Sequence, residues 1–244
     1  MKFDLPNELA SIIKVIGVGG GGSNAVNHMH AHGIQGVDFI ICNTDRQALD
    51  MSLIPVKLQL GAALTEGLGA GSIPERGKSA AQENLDEIRQ LLSTRTKMVF
   101  ITAGMGGGTG TGAAPVIARI ARELGILTVG IVTMPFKWEG RKRVQQANAG
   151  IEEMRQAVDT LLVINNDRLR ELFGNLTMDD AFAHADNVLT TAARGIADII
   201  TVTGKVNVDF EDVRTVMTNS GVAIMGMAEA EGEDRAQRAA MEAL

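Results

Sequence analysis

The chain has 244 residues, 45% hydrophobic and 21% charged, which allows a sizeable core and excludes a disordered chain. A formal charge of −6 excludes a general binder of nucleic acid or anionic membrane, since either would need a basic surface. The single cysteine, Cys42, excludes an intrachain disulfide framework and a multi-thiolate metal site, while 28 glycines against seven Phe, one Trp and no Tyr call for explanation.

The N-terminus carries Asp4 and Glu8 where a secretory signal needs an uninterrupted apolar run. No apolar stretch approaches the roughly 18 residues that span a bilayer, so a cytoplasmic protein without direct membrane insertion is expected. Short β-branched runs predict strands at 12–18, 37–43, 97–103, 127–133 and 160–165. Longer amphipathic stretches between them predict helices near 23–32, 75–93, 112–124 and 143–157. This alternation is the mark of βαβ units around a mostly parallel sheet covered on both faces. Four glycines and a proline in 63–79 predict that the first half of that segment is a loop feeding the second helix. Thr177, Asp179 and Asp180 predict the start of a long apolar helix that runs to about Ile200 and is stopped by Gly204. The last stretch, 221–244, reads as a strand and an alanine-rich helix whose Ala236, Ala239, Ala240 and Ala243 need a surface to pack on.

The glycines collect in two loops, each following a strand and opening a helix. The first, GVGGGGSNAVNHM, satisfies G-x-G-x-x-G at Gly17, Gly19 and Gly22, and Asp45 stands about 20 residues beyond the last of these. Alone it suits a dinucleotide fold. The second, GMGGGTGTGAA, adds Thr109 and Thr111 among its glycines. A dinucleotide fold needs one such phosphate loop, whereas two imply a polyphosphate held mainly by backbone from two strand ends. A P-loop is excluded, because Gly77-Lys78-Ser79 is preceded by Ser at position 72 where that motif needs glycine.

GGGTGTG at 106–112 is similar to the signature of the tubulin/FtsZ family of GTPases. IKVIGVGGGGSNAVN, NTDRQAL, GAGSIPERG, MPFKWEGRKR, NNDRL and NVDFEDV follow the same resemblance from about Ile12 to the last residue. It implies a Rossmann-like mostly parallel sheet with helices on both faces, a long central helix and the start of an incomplete second α/β domain. The implied boundaries are 1–176 for the GTP-binding domain, 177–203 for the central helix, 204–220 for the synergy loop with its following helix, and 221–244 for the second domain.

The family's members bind GTP and assemble head to tail into the polymer of the bacterial division ring. The resemblance therefore implies GTP/GDP and Mg²⁺ as ligands, a homopolymer and other division proteins as partners, no nucleic acid, and a cytoplasmic location at midcell. Gly20, Gly21, Gly22, Ser23 and Asn24 would face the α- and β-phosphates, with Gly107, Gly108, Thr109 and Gly110 completing the cradle. Ala70 and Gly71 would sense the γ-phosphate. Glu139 and Arg143 would contact the ribose and nucleotide, and Asn166 and Asp186 the guanine edge. Phe182 suits either base stacking or the core. Asp45 either reaches a phosphate-bound Mg²⁺ through water or caps the next helix.

Asn207, Asp209 and Asp212 resemble the catalytic segment that enters the next subunit's pocket; Asp209 and Asp212 also suit a helix cap and first turn, and both roles can hold. The chain departs from the family's usual pattern at Asn165, where proline is common, and at Lys205, where an apolar residue is common. A nucleotide-binding piece unable to assemble or hydrolyse is the rival reading, and a dinucleotide oxidoreductase a remote third. His28, His30 and His32 stand at i and i+2, so the three cannot converge on one ion.

Overall fold

The computed structural model describes residues 11–93, 95–174, 177–201, 209–223, 228 and 230–243. In chain order the elements are β1 (Ile13–Val18), α1 (Gly19–Ala31), β2 (Val37–Asn43), α2 (Arg46–Asp50), β3 (Val56–Gln59), α3 (Ala62–Thr65), α4 (Pro74–Glu83), α5 (Leu85–Ser93) and β4 (Met98–Gly104). They continue with α6 (Thr109–Glu123), β5 (Leu127–Met134), α7 (Arg141–Ala157), β6 (Thr160–Asn165), α8 (Asn166–Phe173), α9 (Met178–Thr201), α10 (Phe210–Met217), β7 (Gly221–Val222) and α11 (Arg235–Ala243). All five predicted strands are present.

Every strand pair is parallel, in the order β3-β2-β1-β4-β5-β6-β7. Because side chains alternate across a strand, each strand feeds two cores. Ile16, Val18, Val99, Ile101 and Val132 pack under α4–α7. Ile13, Val15, Met98, Phe100, Val129 and Ile131 pack under α1 and α9 on the other face. The chain moves outward from β1 to β3, then returns to place β4 on the other side of β1. This reversal opens a crevice at the strand carboxyl ends, between the turns that follow β1 and β4.

Several boundaries differ from those predicted, for local reasons. The helix predicted over 75–93 is broken at Asn84, where the backbone leaves the helical region (φ −113°, ψ 31°) and the N–H turns back to the Ala81 carbonyl at 3.2 Å, while Oδ1 accepts from the Gly61 N–H at 2.8 Å. The helices predicted from 23 and 112 start at Gly19 and Thr109, because the glycines continue directly from strand to helix. α8 fills a stretch for which no helix was predicted. Asn165 Oδ1 accepts from the Asp167 N–H at 3.0 Å, so the residue that replaces the family's usual proline caps this helix.

α9 extends about 36 Å at ~1.5 Å per residue and spans the sheet from end to end. Near its start Asp186 faces the crevice. At its end Thr201 meets the Gly36 turn that precedes β2, at the strands' amino ends. α10 follows at that same end, where the Met217 carbonyl accepts from Thr160 Oγ1, on the first residue of β6, at 2.8 Å. Most of α11 is exposed, so its predicted alanine stripe meets little of the described chain. Gly204 and Lys205 lie outside the described residues, and no described helix is long and apolar enough to cross a membrane.

Candidate functional site

The crevice is a cavity of about 460 Å³. Its floor is made by the starts of α1 and α6, and neither helix has a side-chain cap. The first N–H groups of a helix have no intrahelical acceptor, so Gly19, Gly20 and Gly21 of α1 and Thr109, Gly110 and Thr111 of α6 offer free donors at two positive dipole ends. Two uncapped helix starts converging on one cavity make a strong site for an extended anion. The entries are sharp: Gly19 (φ +73°) turns β1 straight into α1, and Gly106 (φ +100°) turns the β4 end toward α6. The buried Thr44 and Thr109 hydroxyls, 2.6 Å apart, tie the end of β2 to the α6 start.

Of the residues expected from the sequence, the structure brings together Gly20, Gly21, Asn24, Gly107, Gly108, Thr109, Gly110, Glu139, Arg143, Asn166 and Asp186 around this cavity. It does not place Gly22 there. Gly22 is the fourth residue of α1, past the free donors, and a Cβ on it would sit 2.3 Å from the Thr102 carbonyl oxygen. Its glycine serves close helix-to-strand packing. Ser23 is likewise turned into the protein, its Oγ buried without a hydrogen-bond partner among the described residues. Ala70 and Gly71 stand behind the cavity wall: a Cβ on Gly108 would lie 2.8 Å from Ala70 Cβ and 2.9 Å from the Ile73 nitrogen. The 70–73 segment therefore rests on the second glycine loop.

At the rim, Glu139 accepts from the Phe136 N–H at 2.9 Å and from Arg143 Nη1 at 2.6 Å. The carboxylate thereby holds the exposed guanidinium one helical turn away. At the far end, Asn166 is buried with Oδ1 unpartnered among the described residues, an acceptor that a ligand would satisfy. Burial pushes the Asp186 carboxyl up to about 6. Phe182 is 40% exposed and lines the cavity mouth, edge-on to Phe136 and Trp138, so it is a wall rather than core.

Thr133 and Pro135, at the carboxyl end of β5, and Ala185 and Leu189, beside Asp186, also line the cavity and were not anticipated. The helical spacing 182, 185, 186 and 189 would have found the last two. Thr133 depends on β5 lying next to β4, which no local signal reveals.

Asp45 does not line the cavity. Its Oδ1 accepts from the Ala48 N–H at 3.2 Å and caps α2, while Arg46 donates its N–H to the Gly67 carbonyl. Asp209 caps α10 and Asp212 completes a reciprocal capping box, both residues being exposed and outside the cavity lining. Asn207 lies outside the described residues. A larger hollow of about 830 Å³ at the β2–β3 edge, lined by Lys14, His30, Phe39 and Lys57, has none of the glycine donors.

Residues 12–174 match the Tubulin/FtsZ family, GTPase domain. The chain is 56% identical over 237 residues to the cell division protein FtsZ of Porphyromonas gingivalis, covering 97% of this chain and 52% of that protein, so it spans about half the length of that curated relative. Among solved structures, an empty FtsZ dimer from M. jannaschii matches with a TM-score of 0.88 at 44% identity, covering 96% of this chain and 68% of the other. CetZ2 from Haloferax volcanii, solved as a GTPγS-bound protofilament, shares the fold with a TM-score of 0.77 at 23% identity over 90% and 67% of the two chains. With a Rossmann-like parallel sheet, two glycine-rich helix starts at its switch point and these matches along most of its length, the chain belongs to the tubulin/FtsZ family and carries that family's GTPase domain.

Proposed function

We propose that the chain binds GTP in this cavity and hydrolyses it only when a second copy supplies the catalytic carboxylates. The phosphates lie on the free N–H donors of α1 and α6, with Ala70 and Gly71 following the terminal phosphate through the second glycine loop. Glu139 and Arg143 hold the ribose end. Guanine lies against Phe182, with Asn166 and Asp186 on its polar edge. An ionised Asp186 accepts from both the N1–H and the exocyclic amine of guanine, whereas adenine presents an acceptor at N1, so the pocket prefers GTP to ATP.

One observation supports the two-copy reading: Asp209 and Asp212 do not line the cavity but open α10, whose last residue meets the first residue of β6 at the end of the sheet away from the glycine loops. Thr201 alone lies roughly 22 Å along α9 from Asp186 at ~1.5 Å per residue. A head-to-tail neighbour brings its Asp209, Asp212 and Asn207 to the exposed terminal phosphate. There the acids orient a water that attacks phosphorus as the bond to the β-phosphate oxygen breaks, and the water's proton passes to a carboxylate. The solved relative recorded as a dimer supports self-association. By analogy with the curated relative named for cell division, the polymer serves the division ring at midcell, with other division proteins as partners.

Among the described residues no group of three or more His, Cys, Asp or Glu could hold a metal. Asp45 Oδ2 makes no hydrogen bond to the described residues, and its Cβ lies 3.9 Å from where a Cβ on Gly69 would fall. This suits an indirect, water-mediated role toward Mg²⁺ carried in on the phosphates, which would neutralise their charge.

GTP turnover per chain measured against protein concentration tests the proposal. A rate per chain that rises above a threshold is expected. A constant rate would sink catalysis between copies, and GTP binding without turnover at any concentration would favour a nucleotide-binding piece that does not assemble.

A further inference from the structure

α6 begins at the free donors of the cavity floor and has Arg122 in its last turn. Arg122 grips three segments. Its Nη1 donates to the Gln156 carbonyl near the end of α7 at 3.3 Å, its Nη2 donates to Asn219 Oδ1 at 2.8 Å, and its Nε lies 3.6 Å from Asp159 Oδ1. Asp159 is buried, and its Oδ2 accepts from the Thr128 N–H of β5 at 2.9 Å. The guanidinium is therefore held by a carboxylate that the sheet itself holds. Asn219 follows α10 with a left-handed backbone (φ +53°), which asparagine tolerates better than most side chains. α10 has little apolar anchorage: Val213 is the one buried residue among its eight, with Phe210 and Met217 half-buried. Arg122 and Asp159 also share a hollow of about 170 Å³ with Arg214 and Thr218 at the carboxyl end of α10.

We propose that Arg122 and Asn219 are positioning residues for hydrolysis: the pair clamps the carboxyl end of α10 and so fixes the direction in which Asp209 and Asp212, at its other end, are offered to a second copy. The inference rests on the two-copy reading above. A helix of eight residues is a stiff lever of about 12 Å, so freedom at one end becomes displacement at the other. A misplacement of about 1 Å can cost on the order of 100-fold in rate. Neither residue lines the cavity, so loss of the clamp acts on turnover and not on GTP affinity, and on the neighbour's cavity rather than its own.

Amide exchange on the 244-residue chain, read by mass spectrometry, tests the clamp without nucleotide. Asn219→Gly keeps the positive φ and leaves the Arg122–Asp159 pair in place, so the variant should fold. Exchange over 210–217 should rise at least about 5-fold, with α1 and the start of α6 unchanged. Asn219→Asp keeps an acceptor for the guanidinium and should exchange like the wild type. Arg122→Gln should repeat the Asn219→Gly pattern with an added loss of stability, since Asp159 is left without its cation. In a phosphate-release assay Asn219→Gly should lower kcat about 10-fold at unchanged GTP affinity, and Asn219→Asp should retain the rate. Adding chains whose own cavity is disabled by Gly107→Ala should restore turnover in the Asn219→Gly cavities. Unchanged exchange over 210–217, or an equal loss of GTP affinity, would overturn the clamp. Raised exchange in a protein whose wild-type rate per chain does not depend on concentration would uphold the clamp and sink the two-copy reading.

Discussion

Asp186 is where one side chain sets two properties in opposition. Its carboxyl is held at about 6, raised from the ordinary 3.8 by burial. The folded protein therefore binds that proton more tightly than the unfolded chain, and the stability it contributes is lost as pH rises through about 6. Guanine requires the ionised form, which prevails above that value. GTP affinity is accordingly expected to fall about tenfold from pH 7 to pH 5, as measured by equilibrium binding across a pH series. Asp186→Asn removes the ionisation and turns one acceptor into a donor facing guanine N–H groups. At pH 7.5 its thermal melt should show a gain on the order of 1–2 kcal/mol, while calorimetry should show GTP binding weakened about 100-fold. Little of this was legible at the residue itself: AHADNVL names an aspartate on a helix, and the burial that tunes it comes from the elements that pack around α9.

Among the elements, the glycine loops proved to be two populations. Some glycines face the cavity: a Cβ on Gly107 would have nothing within 4 Å. Others let elements touch, as at Gly112, where a Cβ would fall 1.9 Å from the Pro74 carbonyl oxygen of α4. Gly112→Ala is expected to destabilise the fold by about 2–3 kcal/mol, or to block expression of soluble protein, because backbone must move. Gly107→Ala should leave the melting temperature unchanged while lowering GTP affinity, read by calorimetry on the same preparation. The reverse pattern would show that the loops' roles are exchanged. The sequence correctly placed both loops after strands and before helices, because strand runs and glycine clusters are local signals. It could not separate packing glycines from binding ones, since that depends on which helix lies opposite.

On the scale of the molecule, α9 joins a nucleotide end to an acidic end. Asp212→Asn keeps the length of the side chain and a cap-competent oxygen for α10, so it should retain GTP affinity while suppressing turnover at least about 100-fold in a phosphate-release assay. An equal loss of binding would place the residue in the fold rather than in catalysis. Mixing Asp212→Asn with chains disabled at the cavity by Gly107→Ala should restore partial turnover only if sites form between copies.

By itself the sequence determined the parallel α/β class, the two glycine-rich strand ends and the family, because each rests on neighbouring residues or on motifs in order along the chain. Tertiary structure alone decided that β1 and β4 are adjacent, that Gly22 lies against the Thr102 carbonyl, and that Asp209 and Asp212 do not line the cavity. The reason is physical. Each of these depends on which distant segments the burial of two apolar sheet faces brings side by side, and local spacing does not encode that choice.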